Sequence, residues 1–140
     1  MRIRAVYRED REDVIALWRL AFPEAPAHND PGRDFDRKMR VQPELFLLAE
    51  ESERCIGSVM AGYDGHRGWI YYLAVHPEHR RRGLGGLLVR QAEDGLRKLG
   101  CPKVNLQVRA ENEEVASFYR AMDYHIEERL SFGKRLTGDP

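Results

Sequence analysis

The segment His79-Arg80-Arg81-Arg82-Gly83-Leu84-Gly85-Gly86-Leu87-Leu88 constrains this chain more than any other. The apolar run Ile70-Tyr71-Tyr72-Leu73-Ala74-Val75 leads into it and reads as a strand, and apolar residues at helical spacing lead out of it. A strand that turns into an amphipathic helix here places three arginines and three glycines at a helix N-terminus. The first backbone N–H groups of a helix have no partner inside it, and the macrodipole adds about half a positive charge. Glycine lets an anion reach the backbone. The arrangement suits a phosphate or pyrophosphate. It is not a Walker loop, because no Gly-Lys-Ser/Thr follows. It is not the dinucleotide fingerprint either, because Leu88 stands where the third glycine belongs. An exposed basic turn and a nucleic-acid patch remain as alternatives.

Composition narrows these. The formal net charge is zero, which argues against a protein that coats nucleic acid or an anionic membrane, since affinity there comes from neutralised phosphates. Neither nucleic acid nor membrane is therefore expected as a partner, while a local basic mouth is allowed. A chain of 140 residues fits one domain, residues 1–140, around a single core. Cys55 and Cys101 are far apart and form no metal-ligand spacing and no CxxC pair. No metal is expected, and the thiols read as small buried hydrophobes in a reducing cytosol. The N-terminus shows no apolar signal region and no apolar run is long enough to span a membrane, so a cytoplasmic location is expected.

Periodicity predicts the elements. Ile3 to Tyr7 reads as a strand. Asp10 is placed to cap a helix carrying Val14, Leu17, Trp18 and Ala21, which Pro23 and Pro26 stop. Asn29-Asp30-Pro31 starts a short helix in which Phe35 and Met39 share a face. Leu45–Ala49, Cys55–Tyr63 and Trp69–Val75 form a meander with turns at Glu51-Ser52-Glu53 and Asp64–Gly68. The helix from Gly83 to Leu99 carries a leucine stripe and ends at Gly100. Val104–Val108 is a strand, Asn112 caps a helix bearing Val115, Phe118, Tyr119 and Met122, and His125–Leu136 reads as a final strand. The class is α/β (α+β), with helices over a mixed sheet of about six strands.

The pattern Arg80-x-x-Gly83-x-Gly85 after Val75-His76-Pro77, set in this order of elements, resembles the GNAT superfamily of acetyltransferases, over nearly the whole chain. Asn29-Asp30-Pro31, Arg37-Lys38-Met39, Gly62–Gly68, Tyr71-Tyr72-Leu73, Gly100–Lys103 and Gly133–Leu136 resemble a bacterial branch of it. The resemblance implies the GNAT fold, with four helices flanking the sheet, and acetyl-CoA as cosubstrate. It also implies that the strands Trp69–Val75 and Val104–Val108 splay, so that the amide arm of coenzyme A bonds the main chain of Leu73, Ala74 and Val75. Arg80, Arg81, Gly83, Leu84, Gly85 and Gly86 would cradle the pyrophosphate, and Arg82 would reach the same phosphates or face solvent. Asn112 matches the residue that bonds the cofactor arm, and Tyr119 the one that protonates the departing thiolate. Tyr119 also reads as core. Asp123-Tyr124 stands where relatives show Gly before an aromatic, and Asp tolerates the left-handed conformation needed there.

Acetyl transfer requires an uncharged amine. Many relatives place a Glu on the strand matching Trp69–Val75, and this chain has no acid there. Asp64 and His66 are the nearest candidate bases, with Tyr71 and Tyr72 on the strand. His66 has a suitable intrinsic pKa but also reads as a loop residue under Trp69, and Asp64-Gly65 is a good hairpin turn. Phe22, His28, Asp30, Asp34 and Tyr63 are candidate walls for the acceptor, Asp30 and Asp34 being equally suited to capping and solvating a helix. The reading is an acetyl-CoA-dependent N-acetyltransferase that moves an acetyl group to a primary amine, of a small molecule or a protein, by direct transfer in a ternary complex. The alternative is a catalytically silent acyl-CoA-binding regulatory module. The final strand offers an edge for a homodimer.

Overall fold

Alternating apolar residues through the middle of the chain build one mixed sheet, seen here in a computed structural model that describes residues 1–25 and 30–138. Its strands are β1 (Arg2–Ala5), β2 (Phe46–Glu51), β3 (Arg54–Tyr63), β4 (Gly68–Val75) and β5 (Val104–Asn105). They lie in the order β1-β2-β3-β4-β5. Neighbours are antiparallel except β4 and β5, which are parallel. A parallel pair needs a crossover, and α3 (Leu84–Lys98) supplies it. The other helices are α1 (Arg11–Ala21), α2 (Pro31–Lys38) and α4 (Glu113–Ala121).

Neighbouring residues of β3 show how the sheet is covered. Gly57 lies under Leu84 and Leu88 of α3, whereas the Ser58 hydroxyl accepts a 2.9 Å bond from Trp18 Nε1 of α1. Successive strand residues point to opposite faces, so α3 covers one face and α1 the other. On the α1 face Val14, Leu17, Trp18, Phe35, Phe46, Leu48 and Ala74 form a buried cluster. On the other, Leu84, Leu88, Val89, Ala92 and Leu96 are buried.

The chain divides into two compact units, Met1–Leu106 and Gln107–Pro140. The first holds the five strands and α1 to α3. The second holds α4, whose N-cap Asn112 accepts a bond from the Val115 amide at 3.2 Å.

Three expectations are corrected. The sheet has five strands, not about six, because His125–Leu136 forms no ladder. Its apolar residues Ile126, Leu130, Phe132 and Leu136 are exposed. A strand needs a neighbour's backbone to pair with, and among the described residues this segment makes a local bond instead, from the Arg129 amide to the Glu127 carbonyl at 2.9 Å. β5 ends at Asn105 rather than Val108. Asp10 does precede α1, but its carboxylate makes no cap to the helix. It binds Arg4 at 2.8 and 3.0 Å and the Tyr7 amide at 2.7 Å instead.

Candidate active site

The start of α3 is built differently from the other helix starts. α1, α2 and α4 each carry acidic residues in the first turn, and α3 carries none. Its N-cap is Gly83 at φ 75°, and no side chain accepts from its first amides. The first helical bond runs from the Leu87 amide to the Gly83 carbonyl at 3.2 Å, which leaves the N–H groups of Leu84, Gly85 and Gly86 outside the helical ladder. A Cβ placed on Gly86 would meet only the Arg90 guanidinium within 4 Å, at 3.8 Å, so that surface is open to a ligand. Arg80 and Arg81 are exposed beside it. Arg81 sits at φ 65°, a conformation that costs a non-glycine residue on the order of 1 kcal/mol.

Arg82 is engaged within the protein. It grips Glu51 at the end of β2 with two bonds of 3.1 and 3.0 Å, and meets His79 Nδ1 at 2.6 Å. The guanidinium holds the Glu51 carboxyl below its ordinary range. Arg82 therefore ties the basic loop to the sheet.

β4 leads into this loop with one edge unpaired. Its ladder to β5 consists of Gly68–Val104 and Trp69–Asn105, so no strand pairs with Ile70–Val75 on that side among the described residues. The His76 amide donates to the Ile56 carbonyl of β3 at 2.8 Å. Amides alternate in direction along a strand, so the Val75 N–H points to the open edge, as does that of Leu73. An extended amide chain could bond there as an added strand does.

Opposite Val59 the β3–β4 register shifts. The bulge falls at Tyr72, whose φ is 53°. This turns the Tyr72 ring onto Trp18, with centroids 4.2 Å apart, and edge-on to Phe22 at 5.8 Å. Its hydroxyl donates to Asp34 Oδ2 of α2. Burial and the Asp34 carboxylate both raise the Tyr72 pKa above the ordinary phenol value, so Tyr72 stays protonated and serves as a donor rather than a base. Beside this pair is a pocket of about 320 Å³ lined by Asp34, Arg37, Lys38, Val41, Met60, Tyr71 and Tyr72. Lys38 is 8 % exposed, and its ammonium donates to the Ala61 carbonyl. Burial lowers its pKa, against the opposing charge of Glu44.

The remaining candidates from the sequence lie as follows. The Asp64 carboxylate closes its turn by accepting from the His66 and Arg67 amides, each at 2.8 Å. Those bonds lower its pKa, which weakens it as a base near neutral pH. His66 is exposed on that turn. Asp30 caps α2 by accepting from the Arg33 amide at 3.1 Å, and the Tyr63 amide is held by Gln42 at 2.7 Å. His28, with Pro26 and Asn29, lies outside the described residues. In the second unit Tyr119 is buried, with Phe118 and Tyr124 edge-on at 4.9 and 5.5 Å, and burial pushes its pKa up to about 12. Cys55 is likewise pushed up to about 12 by burial, as suits a packing thiol. Arg37, Lys38, Val41 and Met60 are pocket residues that the sequence reading does not single out. A signal for Lys38 was present, because Asp34 and Lys38 are four apart on one helix and so share a face.

Among the described residues no helix is long and apolar enough to cross a membrane, and no group of three or more His, Cys, Asp or Glu is placed to hold a metal. Residues 11–124 match the acetyltransferase (GNAT) family. The chain is 46% identical over 139 residues to an acetyltransferase of Yersinia enterocolitica, covering 99% of this chain and 98% of that protein. It is 45% identical over 140 residues to an acetyltransferase of Sodalis glossinidius, with the same shares covered. Among solved structures, an aminoglycoside N-acetyltransferase in complex with CoA superposes with a TM-score of 0.79 at 18% identity, over 97% of this chain and 95% of that one. At that identity the likeness concerns the fold.

Proposed function

The chain belongs to the acetyltransferase (GNAT) family, and from that premise we propose that it moves the acetyl group of acetyl-CoA to a primary amine by direct transfer in a ternary complex. The observation that carries this reading is the pairing of a bare, acid-free helix start with an unpaired strand edge leading into it. Acetyl-CoA has two parts that need two such surfaces. Its diphosphate suits the amides of Leu84, Gly85 and Gly86, with Arg80 and Arg81 adding charge. Its amide arm suits the main chain of Leu73–Val75. The neutral whole then needs only one positive mouth.

In the reaction the acceptor ammonium first loses a proton, directly or through water. The amine lone pair forms a C–N bond to the thioester carbonyl carbon. An N–H at the open edge, such as that of Val75, stabilises the oxygen as charge builds on it. The C–S electron pair leaves with sulfur, the nitrogen sheds a second proton, and the thiolate takes one up. An amide, a free thiol and one released proton result. Tyr119 holds its proton at neutral pH and suits the role of donor to sulfur, and Asn112 is proposed to bond the cofactor arm. Holding amine and thioester together supplies much of the rate without a strong base.

Two measurements test this. Acetyl-CoA at about 100 times its Kd stabilises the native state by about 2.7 kcal/mol, a melting shift of several degrees, and no shift at millimolar concentration overturns the reading. Thiol release should depend on an added amine and fall on the order of 100-fold in Tyr119→Phe. Binding without amine-dependent release in the native protein would instead favour a silent acyl-CoA-binding module.

A further inference from the structure

We infer that the pocket between α2 and β4 takes an acceptor carrying its own carboxylate beside the amine, an amino-acid-like zwitterion, with the anion on Lys38 and the ammonium on Asp34. This rests on the transfer reading above and names its substrate class.

The first observation is a pair that does not form. Asp34 and Lys38 stand one turn apart on α2, with about 5–6 Å expected between their Cβ atoms and the acid N-terminal to the base, the favourable order for an ion pair. Each is engaged elsewhere. Tyr72 donates to the Asp34 carboxylate and Lys38 donates to the Ala61 carbonyl. Two opposite charges on one helix face are thereby held to separate partners, and both line the same pocket. A molecule with both charges fits between them.

The second is the state of Lys38. A buried ammonium is costly unless a counter-ion neutralises it. Lys38 is 8 % exposed and its bonding partner is a neutral carbonyl. The Glu44 charge acts on this ammonium as well, without offsetting the cost of burial. The pocket has one buried ammonium and one carboxylate, Lys38 and Asp34, in its lining. Its size agrees, since about 320 Å³ is at the small end for ligand pockets. Val41, Met60 and Tyr71 supply apolar wall for a side chain.

The third is direction. Ala61, which fixes Lys38, pairs with Ile70, two residues back along β4 from Tyr72, or roughly 7 Å. Tyr72, which fixes Asp34, is adjacent to Leu73, where the open edge proposed for the acyl arm continues. The anion end thus lies away from the thioester and the amine end lies against it.

The test uses the full-length protein, saturating acetyl-CoA and thiol detection, with each common free amino acid measured beside its own carboxamide, and with alkylamines and polyamines added. For at least one amino acid the free acid should exceed its carboxamide in kcat/KM by about tenfold or more, the worth of one charge-assisted hydrogen bond. Lys38→Met should bring that ratio close to one through a raised KM for the acid. Carboxamides, alkylamines or polyamines used as well as or better than every free acid overturn this inference and leave the transfer reading intact. A preference for the acid that survives Lys38→Met also overturns it. If that variant does not fold, the paired substrates on the unaltered protein still decide. No release with any amine ends both readings together.

Discussion

The start of α2 is closed and the start of α3 is open. Asp30 accepts from the Arg33 amide and Pro31 occupies the first turn, where its missing N–H leaves nothing to satisfy. At α3 the same backbone problem meets a left-handed Gly83, two further glycines and no acid. Both helices fold. The difference shows that a cap is a choice between stability and availability, since amides satisfied by the protein's own carboxylate have nothing left to offer a ligand.

Closing the open start gives the largest expected effect. Gly86→Asp places a carboxylate in the first turn of α3, where the space beyond Gly86 holds only the tip of Arg90. The fold should melt at the same temperature or higher, while acetyl-CoA affinity falls by about 100-fold or more through lost bonds and repulsion. Calorimetry on the two proteins compares both quantities, and unchanged affinity removes α3 from the cofactor site. Gly86→Ala separates the terms further. It adds helix propensity worth up to about 1 kcal/mol while crowding the anion seat, so stability rises as affinity drops.

Opening the closed start is the converse and smaller experiment. Asp30→Ala should cost about 1 kcal/mol of stability and leave acetyl-CoA affinity as it was. Denaturant unfolding and cofactor titration measure the two, and a loss of affinity would show that the distinction between the starts is false.

The start of α1 gives the smallest effect. Asp10 spends its carboxylate on Arg4 and the Tyr7 amide, and the Arg4 bond is the main cause that lowers its pKa below the ordinary 3.8. A group whose pKa is lowered by folding adds stability above its unfolded value, and that stability is lost as pH falls through the folded value. Melting temperature should therefore decline below about pH 4 (the ordinary aspartate range), and Asp10→Asn should flatten part of that decline. An identical acid limb in the variant would mean that Asp10 carries none of it.

The fold was legible where the signal is local. Leucines every three or four residues placed α3 within a residue of its true ends, and Pro31 located the start of α2. Asn112 was read as the cap of α4 and is one. The extended reading of His125–Leu136 did not yield a strand, because alternation describes a face while a strand also needs a neighbour's backbone. Of the pocket, Asp34, Tyr71 and Tyr72 were named from sequence as candidates. Lys38 was not, since a lysine in a charged eight-residue helix looks like solvent-facing polarity until the sheet covers it.

Sequence by itself determined where α1 to α4 start, and that the α3 start carries cations and glycine but no carboxylate. These follow from backbone chemistry within a few residues. Tertiary structure alone decided that Arg82 would be drawn to Glu51, that Trp18 would find Ser58, and that Asp34 and Lys38 would be held by Tyr72 and Ala61 rather than by each other. Those partners lie 23 to 40 residues apart in the chain. They meet because sheet register and the bulge at Tyr72 bring them together, and a competition between a near partner and a distant one is settled only when the distant one has been packed into reach.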